Sequence, residues 1–366
     1  MRRTVDTPFL LATCTMVIAG LLIFTSAALS LLSQDGGATF TSVAVGQVLL
    51  GLVCGSVALV FFAKVDYRIW RTYSLYFFVA ALILTVLTFV PHIGLSLKGA
   101  TRWLLLGPFS FQPVEVLKFA VVMFLSALYA SHMRSVSTFR GGTLPLMLVA
   151  GSAGLLLMLQ PDTAGAVIVG MAAVGVFFAA GGKISHMLLL AFAGALIIGG
   201  AAFKYPHVAD RLKTFINQEA DPLGAGYQVQ QSLIAVGSGG WSGRGFGQSI
   251  EKFSYLPEPI GDSIFAVAAE EFGFVGSAAL VLLYVCIALL GLRIAARAPD
   301  PFGGLLVVGL ITLIIGQSFF NIASAIGLVP LIGVPLIFVS HGGTALAISL
   351  AEVGVILSVS KRMKHS

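Results

Sequence analysis

Charged side chains are scarce in this sequence: Asp, Glu, Lys and Arg make up 10% of its 366 residues, while 58% are hydrophobic. The mean hydropathy of +1.00 lies far outside the range of soluble globular domains of this length, so the composition excludes a soluble enzyme. A helix needs about 20 mostly apolar residues to cross the hydrocarbon, where no water satisfies its backbone groups. The chain supplies such runs repeatedly and is therefore predicted to be an integral membrane protein.

Cysteine is also rare, and several common signatures are lacking. Cys14, Cys54 and Cys286 are far apart and lie inside apolar runs, which excludes a disulfide framework and a cysteine metal site. No repeat of fixed period and no low-complexity linker divides the chain, so we expect one membrane domain over residues 1–366. The sequence contains no complete nucleotide signature, and nothing in it indicates nucleic acid as a partner.

The apolar runs and the breaks between them predict an all-α fold with ten transmembrane helices. The predicted spans are 9–32, 43–63, 72–90, 113–131, 143–160, 163–181, 185–203, 263–292, 302–327 and 340–360. The longest connection, residues 204–262, joins helices 7 and 8, and loops of this length are usually functional. Its glycine-rich stretch, residues 237–249, permits either close backbone approach to a ligand or simple flexibility.

The basic residues predict the orientation of these spans. An even number of spans puts both termini on one side, and lysines and arginines concentrate on the cytoplasmic side. With the N-terminus inside, the inner face holds Arg2, Arg3, Lys64, Arg68, Arg71, Arg134, Arg140, Lys183, Arg293, Arg297, Lys361, Arg362 and Lys364. The short outer connections hold only Lys98 and Arg102. Both termini are therefore predicted to be cytoplasmic, and the 204–262 loop extracytoplasmic.

Charges at the ends of spans are costly in a membrane and become candidates for function. Glu115 and Lys118 are three residues apart at the start of a helix, so they share a face and can form a structural ion pair. Arg102 and Trp103 fit interfacial anchors. The functional alternative is that Arg102 and Lys118 face an anionic headgroup, because guanidinium and ammonium groups bind phosphate well.

Two further polar blocks lie next to predicted helix starts. Asp162 follows Gln160-Pro161 and is expected to cap the next helix. The stretch 327–343 contains two prolines that break a helix, which predicts a re-entrant connection. Ser340, Gly342 and Gly343 then lie at a helix N-terminus, a place suited to an anion, with Ser340 as a plain N-cap the alternative. A nucleophile pair of Ser340 with the adjacent His341 is disfavoured.

Asp262 stands between a proline-broken loop and a strongly helical run. It fits a helix N-cap or a general base, and both roles can hold. A glycosidase-like pair with Glu270 is disfavoured, because eight helical residues rise about 12 Å, more than the roughly 5–9.5 Å that such pairs use. Glu271 lies on the opposite helix face, and Glu258 is close in sequence across a bend of unknown geometry. A single general base is the simpler hypothesis.

Six blocks of the sequence together resemble the SEDS family of bacterial shape, elongation, division and sporulation proteins, which includes RodA and FtsW. The blocks are GATRW (99–103), FQPVEVLK (111–118), QPDTAG (160–165), YQVQQSLIAVGSGGWSGRGFGQS (227–249), LPEPIGDSIFAVAAEEFGFVG (256–276) and GLVPLIGVPLIFVSHGGTAL (327–346). The resemblance implies a ten-helix glycosyltransferase that polymerises lipid II into peptidoglycan strands at the outer face of the bacterial cytoplasmic membrane. It also implies a class B penicillin-binding protein as partner, beside lipid II and membrane lipids.

The resemblance assigns roles to residues of this chain. The family's essential acid maps to Asp262, and its sensitive basic and acidic positions map to Arg102, Glu115 and Lys118. The sequence departs from the family in having Ile260-Gly261 where His-Thr is common, and SHGGTA where SYGGSS is common. Because the aspartate is retained, we expect activity. The stretches YQVQQSLIA (227–235) and FGQSIEKFSYLPE (246–258) are more similar to FtsW than to RodA.

The implied reaction is an inverting glycosyl transfer. Asp262 accepts the proton of the acceptor's 4-hydroxyl, and undecaprenyl diphosphate leaves from the donor. Arg102 and Lys118 are candidates to stabilise the diphosphate, with a divalent cation, Mg²⁺ or Mn²⁺, as a further expected participant. The candidate substrate-binding residues are Arg102, Trp103, Glu115, Lys118, Glu258, Ser340, Gly342 and Gly343. A lipid II flippase and a non-catalytic cell-wall scaffold are the alternatives.

Overall fold

The computed structural model describes residues 5–33, 40–97, 100–106, 109–204, 206–217, 224–331 and 333–363, and most of them are helical. The main helices are α1 Thr7–Ala28, α2 Phe40–Lys64, α3 Tyr67–Val86, α4 Pro113–Ser131, α5 Leu144–Leu159, α6 Thr163–Ala179, α7 Ile184–Lys204, α8 Pro206–Ile216, α9 Ala225–Ser238, α10 Ile264–Ala296, α11 Pro301–Ala325 and α12 Gly343–Ser360. Some residues used for the predictions lie outside the described ranges: Arg2, Arg3, Lys98, Lys364, and positions 205 and 218–223 of the long connection.

Within the described part of the chain, eight helices are long and apolar enough to cross a membrane. They coincide with eight of the predicted spans, and the shorter apolar helices α6 and Ile184–Ile197 fall on the sixth and seventh. Many of their large apolar side chains point away from the protein; Leu188, Phe192 and Ile197 of α7 are each more than 60% exposed. Such a surface requires lipid around it, and the chain is therefore a multi-pass membrane protein.

Carboxylate side chains fix the start of several helices. Asp6 accepts a hydrogen bond from Phe9 N at the start of α1, and Asp300 does the same for Gly303 N at the start of α11. Asp162 Oδ1 accepts from Gly165 N at 3.1 Å, which confirms its predicted role as the cap of α6. A side-chain acceptor satisfies a backbone N–H that has no partner within the helix.

The prediction of an all-α fold is incomplete, because a three-stranded antiparallel sheet precedes α4. Its strands are β1 Gly94–Leu97, β2 Ala100–Leu106 and β3 Phe109–Phe111, and Leu95 pairs with Trp103 while Leu104 pairs with Phe111. The segments are short and bounded by glycine and proline, and they include Phe, Thr and Trp, which favour strands. This sheet carries Arg102 and Trp103 next to the helix bundle.

The centre of the bundle consists of α4, α11 and α12. The protein itself buries 78% of the α4 span and 83% of the α12 span, compared with 22% of α2. Because these central helices contact protein on nearly all sides, they can carry polar side chains that lipid would not tolerate. Glu115 on α4, Gln317 on α11 and Glu352 on α12 are all buried there.

The glycine-rich stretch packs back against α10, which is kinked at Gly273 with φ 64° and ψ −163°. Gly245 N donates to Glu271 O at 2.9 Å, and Phe274 N donates to Gly240 O at 2.8 Å. A Cβ at Gly243 would lie 2.1 Å from Glu271 O, so only glycine fits there. These glycines therefore permit close approach to a neighbouring helix of the same chain.

Candidate active site

Asp262 lies in a tight turn that leads into α10. Glu258 adopts a positive φ of 50°, and its carbonyl accepts hydrogen bonds from Gly261 N at 3.0 Å and Ser263 N at 3.2 Å. The helix begins at Ile264 with Ser263 as N-cap, so the interpretation of Asp262 as N-cap is wrong. The Glu258 carbonyl takes the N–H groups of Gly261 and Ser263 in this turn, and the helix begins after it. The Asp262 side chain is left half-buried in the turn.

Three successive carbonyls of this turn are bonded to other elements. Ile260 O accepts from His341 N at 2.7 Å, and Gly261 O accepts from Ser340 Oγ at 2.8 Å. Asp262 O accepts from Asn321 Nδ2 of α11 at 2.8 Å. Two of these carbonyls belong to Ile260 and Gly261, one of the places where the sequence departs from the pattern of the family it resembles. The turn is thus held there through backbone atoms, which do not depend on the side chain at either position.

The segment 327–343 is fixed in the same way, and Ser340 is not the N-cap of α12. The cap is Gly342, because α12 begins at Gly343, and Ser340 Oγ instead accepts from Leu336 N at 2.8 Å. The Gln47 side chain brackets the segment, donating to Ser340 O at 3.2 Å and accepting from Gly342 N at 3.0 Å. These contacts favour a structural role for Ser340 and Gly342. Gly343 allows the close approach of α2, since a Cβ there would lie 3.0 Å from Gly46 O.

Arg102 on β2 holds the turn between α5 and α6. Its Nε donates to Gln160 O at 3.4 Å, its guanidinium also donates to Pro161 O, and Nη1 lies 3.5 Å from Asp162 Oδ1. Gln160 in turn donates to Thr85 O at 3.0 Å. One quarter of the Arg102 side chain is exposed, so it remains accessible to a ligand. The neighbouring Trp103 is half-buried.

Arg211 of α8 joins this site and was missed by the sequence analysis. A Cβ on Gly333 would lie 3.5 Å from Arg211 Nη2 and 3.2 Å from Asp262 Oδ2, so both groups lie at the same glycine. Burial and the nearby Arg102 lower the pKa of the Arg211 guanidinium, while Asp262 and Asp162 raise it. The signal in the sequence was a basic residue three positions after Val208, on the apolar side of an amphipathic run. We call Arg102, Asp162, Arg211 and Asp262 the turn cluster.

Glu115 and Lys118 form the predicted ion pair, deep in the bundle. Lys118 Nζ lies 2.7 Å from Glu115 Oε2 and donates to Gln317 Oε1 at 2.6 Å, and about 7% of each charged side chain is exposed. Gln317 Nε2 donates to Pro335 O, and Glu352 interacts electrostatically with both members of the pair. We call Glu115, Lys118, Gln317 and Glu352 the helix cluster. This geometry favours the structural ion pair over a headgroup site at Lys118.

The glutamates that follow Asp262 are bonded elsewhere. Glu270 accepts from Ser249 Oγ at 2.6 Å and from Ile250 N at 3.0 Å. Glu271 lies 2.6 Å from Lys252 Nζ, and both of these side chains are fully buried. Glu270 ties the end of the glycine-rich stretch to α10, and Glu271 ties Lys252 to the same helix. These partners agree with the prediction that neither glutamate is paired with Asp262. Glu258 is exposed at the mouth of the turn and interacts electrostatically with His341.

The described residues contain no group of three or more His, Cys, Asp or Glu side chains that could hold a metal ion. Asp162 and Asp262 each have an arginine in their surroundings. A divalent cation at this site would thus require ligands from a bound diphosphate in addition to a protein carboxylate.

Comparisons with known proteins agree with this architecture. The chain matches the FtsW/RodA/SpoVE cell cycle protein family over residues 7–365. It is 40% identical to stage V sporulation protein E of Bacillus subtilis (strain 168) over 85% of both chains. It is 35% identical to the probable peptidoglycan glycosyltransferase FtsW of Thioalkalivibrio sp. (strain K90mix), over 98% of this chain and 90% of that protein.

Solved structures show the same fold. A structure on the structural coordination of polymerization and crosslinking by a peptidoglycan synthase complex contains a chain that matches with a TM-score of 0.79, 25% identity and 97% coverage of both chains. The rod shape determining protein RodA of Thermus thermophilus matches with a TM-score of 0.71 over 99% of this chain and 98% of that one; at 23% identity it supports the fold alone. By its sequence matches over nearly its whole length, the chain belongs to the FtsW/RodA/SpoVE family, the SEDS proteins.

Proposed function

We propose that this protein is a peptidoglycan glycosyltransferase that polymerises lipid II, with Asp262 as its general base. The observation that carries the proposal is the anchoring of Asp262: its turn is bonded through three successive carbonyls to the segment 340–341 and to Asn321. Such anchoring holds a catalytic carboxylate in one place before substrate arrives. Relatives 35% identical to this chain carry the name peptidoglycan glycosyltransferase, which supports the reaction class.

The proposed step is a single displacement with inversion. The Asp262 carboxylate accepts the proton of the acceptor's 4-hydroxyl while that oxygen forms a bond to the anomeric carbon of the donor. The bond from the anomeric carbon to the phosphate oxygen breaks, and its electron pair stays on that oxygen, so the lipid-linked diphosphate is the leaving group. Positive groups near the leaving oxygen would lower the barrier, because the negative charge grows there in the transition state.

Arg102 is well suited to this stabilising role, because it is partly exposed and belongs to the same cluster as Asp162 and Arg211. Lys118 contributes through the fixed helix cluster rather than by direct contact, since Glu115 and Gln317 take its ammonium group. Trp103 is half-buried on β2 and Glu258 is exposed in the turn that carries Asp262, so both remain candidate substrate contacts. A divalent cation bound mainly by the substrate diphosphate is part of the proposal, and chelation during the assay tests for it.

The same proposal includes the membrane arrangement. We place ten spans in one domain of the bacterial cytoplasmic membrane, with both termini in the cytoplasm. Residues 204–262 and the Asp262 turn then lie on the extracytoplasmic face, where lipid II is polymerised. A class B penicillin-binding protein is the proposed partner, supported by the similarity to a chain from a structure of a peptidoglycan synthase complex.

The experiment is a polymerisation assay with purified protein and labelled lipid II, with and without a class B penicillin-binding protein. Asp262→Asn should lose about a hundredfold or more of the rate, because the amide cannot accept the proton. Asp210→Asn is the matched control, since Asp210 is an exposed carboxylate on α8. Wild-type glycan strands would show that neither a flippase nor a scaffold suffices as an account. An Asp262→Asn protein that polymerises at the wild-type rate would refute the base assignment.

A further inference from the structure

Arg211 lies next to the turn that carries Asp262, in a position to bind an anion there. The 206–216 helix brings its guanidinium to Gly333, and because glycine has no Cβ, no side chain separates Arg211 from Asp262 there. The positive φ of 68° at this position favours glycine. Arg211 interacts favourably with Asp262 and Asp162 and unfavourably with Arg102. The guanidinium groups of Arg102 and Arg211 repel each other. An anion with several negative charges offsets this repulsion more than a single carboxylate does.

An apolar cavity continues from Arg211. It is lined by Phe215 of α8, Val229 of α9, and Val329, Pro330 and Leu331 of the segment that follows α11. The cavity, at about 10 Å³, is too small to hold a hydrocarbon chain. An amphipathic ligand would therefore place its charged group at the arginine and its hydrocarbon against the exposed Phe215 beside the cavity. A diphosphate joined to a prenyl chain has this chemistry, whereas free inorganic pyrophosphate would use only the arginine.

We propose that Arg211 binds the diphosphate of the lipid-linked donor and, in doing so, leaves Asp262, so that the base is released only when the donor is bound. This inference rests on the proposed glycosyl transfer. A guanidinium donates two parallel hydrogen bonds to two oxygens of a phosphate or of a carboxylate. The geometry is the same for both partners, but a diphosphate carries more negative charge than a carboxylate and so binds the guanidinium more strongly. A carboxylate that has lost its cationic neighbour is a stronger base. Donor binding and base activation therefore occur in one exchange of partners.

Arg102 does not duplicate this role. Its guanidinium is bonded to the backbone and side chain of residues 160–162, so it remains with the α5–α6 turn while a ligand binds. It provides a fixed positive charge on one side of the site, and Arg211 provides the group that exchanges partners. The distinction predicts that the two arginines differ in their coupling to Asp262.

The test measures binding directly, on purified full-length protein in detergent. Calorimetric titration with farnesyl diphosphate should show that Arg211→Gln weakens the affinity about tenfold to a hundredfold, as expected for the loss of a charged hydrogen-bond donor. Arg211→Lys should fall between wild type and Arg211→Gln, because the charge remains while the paired donors are lost. Lys213→Gln is the matched control on the same helix, and its exposed side chain predicts unchanged affinity. Inorganic pyrophosphate and farnesol, titrated separately, distinguish a diphosphate site from a diphosphate-lipid site.

The exchange of partners has its own signature. Asp262→Asn removes the competing carboxylate, so it should bind farnesyl diphosphate about fivefold or more tightly, and Asp262→Asn/Arg211→Gln should lose this gain. Unchanged affinity in Arg211→Gln would overturn the binding site, and unchanged or weaker affinity in Asp262→Asn would overturn the exchange. Neither measurement needs turnover. The binding inference can therefore fail while the polymerase assignment stands, and the polymerase assignment can fail while Arg211 still binds the diphosphate. Thermal unfolding of each variant checks that it is folded. If Arg211→Gln does not fold, Arg211→Lys replaces it in the binding measurement.

Discussion

The helix cluster and the turn cluster contain similar charged side chains in different surroundings. In the helix cluster, Lys118 has two partners at hydrogen-bond distance, and little of either charged side chain of the pair reaches solvent. In the turn cluster, Arg102 is one-quarter exposed and Arg211 and Asp262 are half-buried. Buried charges with complete sets of partners stabilise one arrangement, whereas partly exposed charges can exchange partners with a ligand. The comparison separates a structural network from a reactive one.

The largest expected effect is in the helix cluster. Lys118→Met leaves Glu115 and Glu352 as two buried carboxylates without their shared cation, and should destabilise the fold by about 3–5 kcal/mol. Thermal unfolding in detergent measures the loss. Glu115→Gln/Lys118→Met removes the pair together and should regain part of the stability, since position 115 no longer carries an uncompensated charge while Glu352 still lacks the cation.

The same double variant sharpens the comparison. If Lys118 acts only through the fold, Glu115→Gln/Lys118→Met should also regain polymerisation in proportion to its stability. A folded double variant without activity would instead indicate that Lys118 binds substrate, which is the alternative in which Arg102 and Lys118 both face an anionic headgroup.

A smaller effect is expected at Gly333, where a methyl group would enter the turn cluster. Gly333→Ala places a Cβ 3.2 Å from Asp262 Oδ2 and forces alanine into a positive φ of 68°. We expect the polymerisation rate to fall about tenfold, because a shift of the base from its productive position slows the reaction. Strain should lower stability by about 1–2 kcal/mol. The rate assay and thermal unfolding measure the two effects separately.

Gly247→Ala is the matched control for this variant. Gly247 has a similar φ of 78°, but a Cβ there would have no atom within 4 Å. It should therefore lose comparable stability and keep its polymerisation rate. Equal loss of rate in both variants would mean that backbone strain, rather than contact with Asp262, explains the effect.

The sequence predicted what depends on near neighbours in the chain. The apolar runs located the helices, Asp162 was identified as a cap, and the spacing of Glu115 and Lys118 predicted their ion pair. Each of these follows from contacts within four residues along a helix. The caps proposed at Asp262 and Ser340 were wrong, because contacts between distant segments decide where those helices begin.

Long-range contacts also account for the features that were missed. Arg211 reaches Asp262 only because α8 folds over Gly333, and no local pattern encodes that approach. The three-stranded sheet was missed because its strands are too short for alternation to stand out from a membrane-like composition. The glycine-rich stretch appeared to be a ligand loop or a flexible one, yet its glycines serve contact with the α10 kink.

The smallest expected effect concerns Glu251, which shows the same contrast between paired and unpaired charge beside α10. Glu270 accepts hydrogen bonds from Ser249 and Ile250, whereas Glu251 Oε2 is buried without a hydrogen-bond partner among the described residues. Burial, and then repulsion from Glu270, raise the pKa of the Glu251 carboxyl, against a lowering by Arg244. Since the folded-state pKa is the higher one, stability falls as pH rises from the ordinary pKa of a glutamate to the raised value, and the loss persists above it. Glu251→Gln does not titrate, so it should unfold at a higher temperature than wild type at pH 7, with the difference shrinking at pH 4. Thermal unfolding at the two pH values measures this, and a constant difference would show that Glu251 titrates in the fold as it does in the unfolded chain.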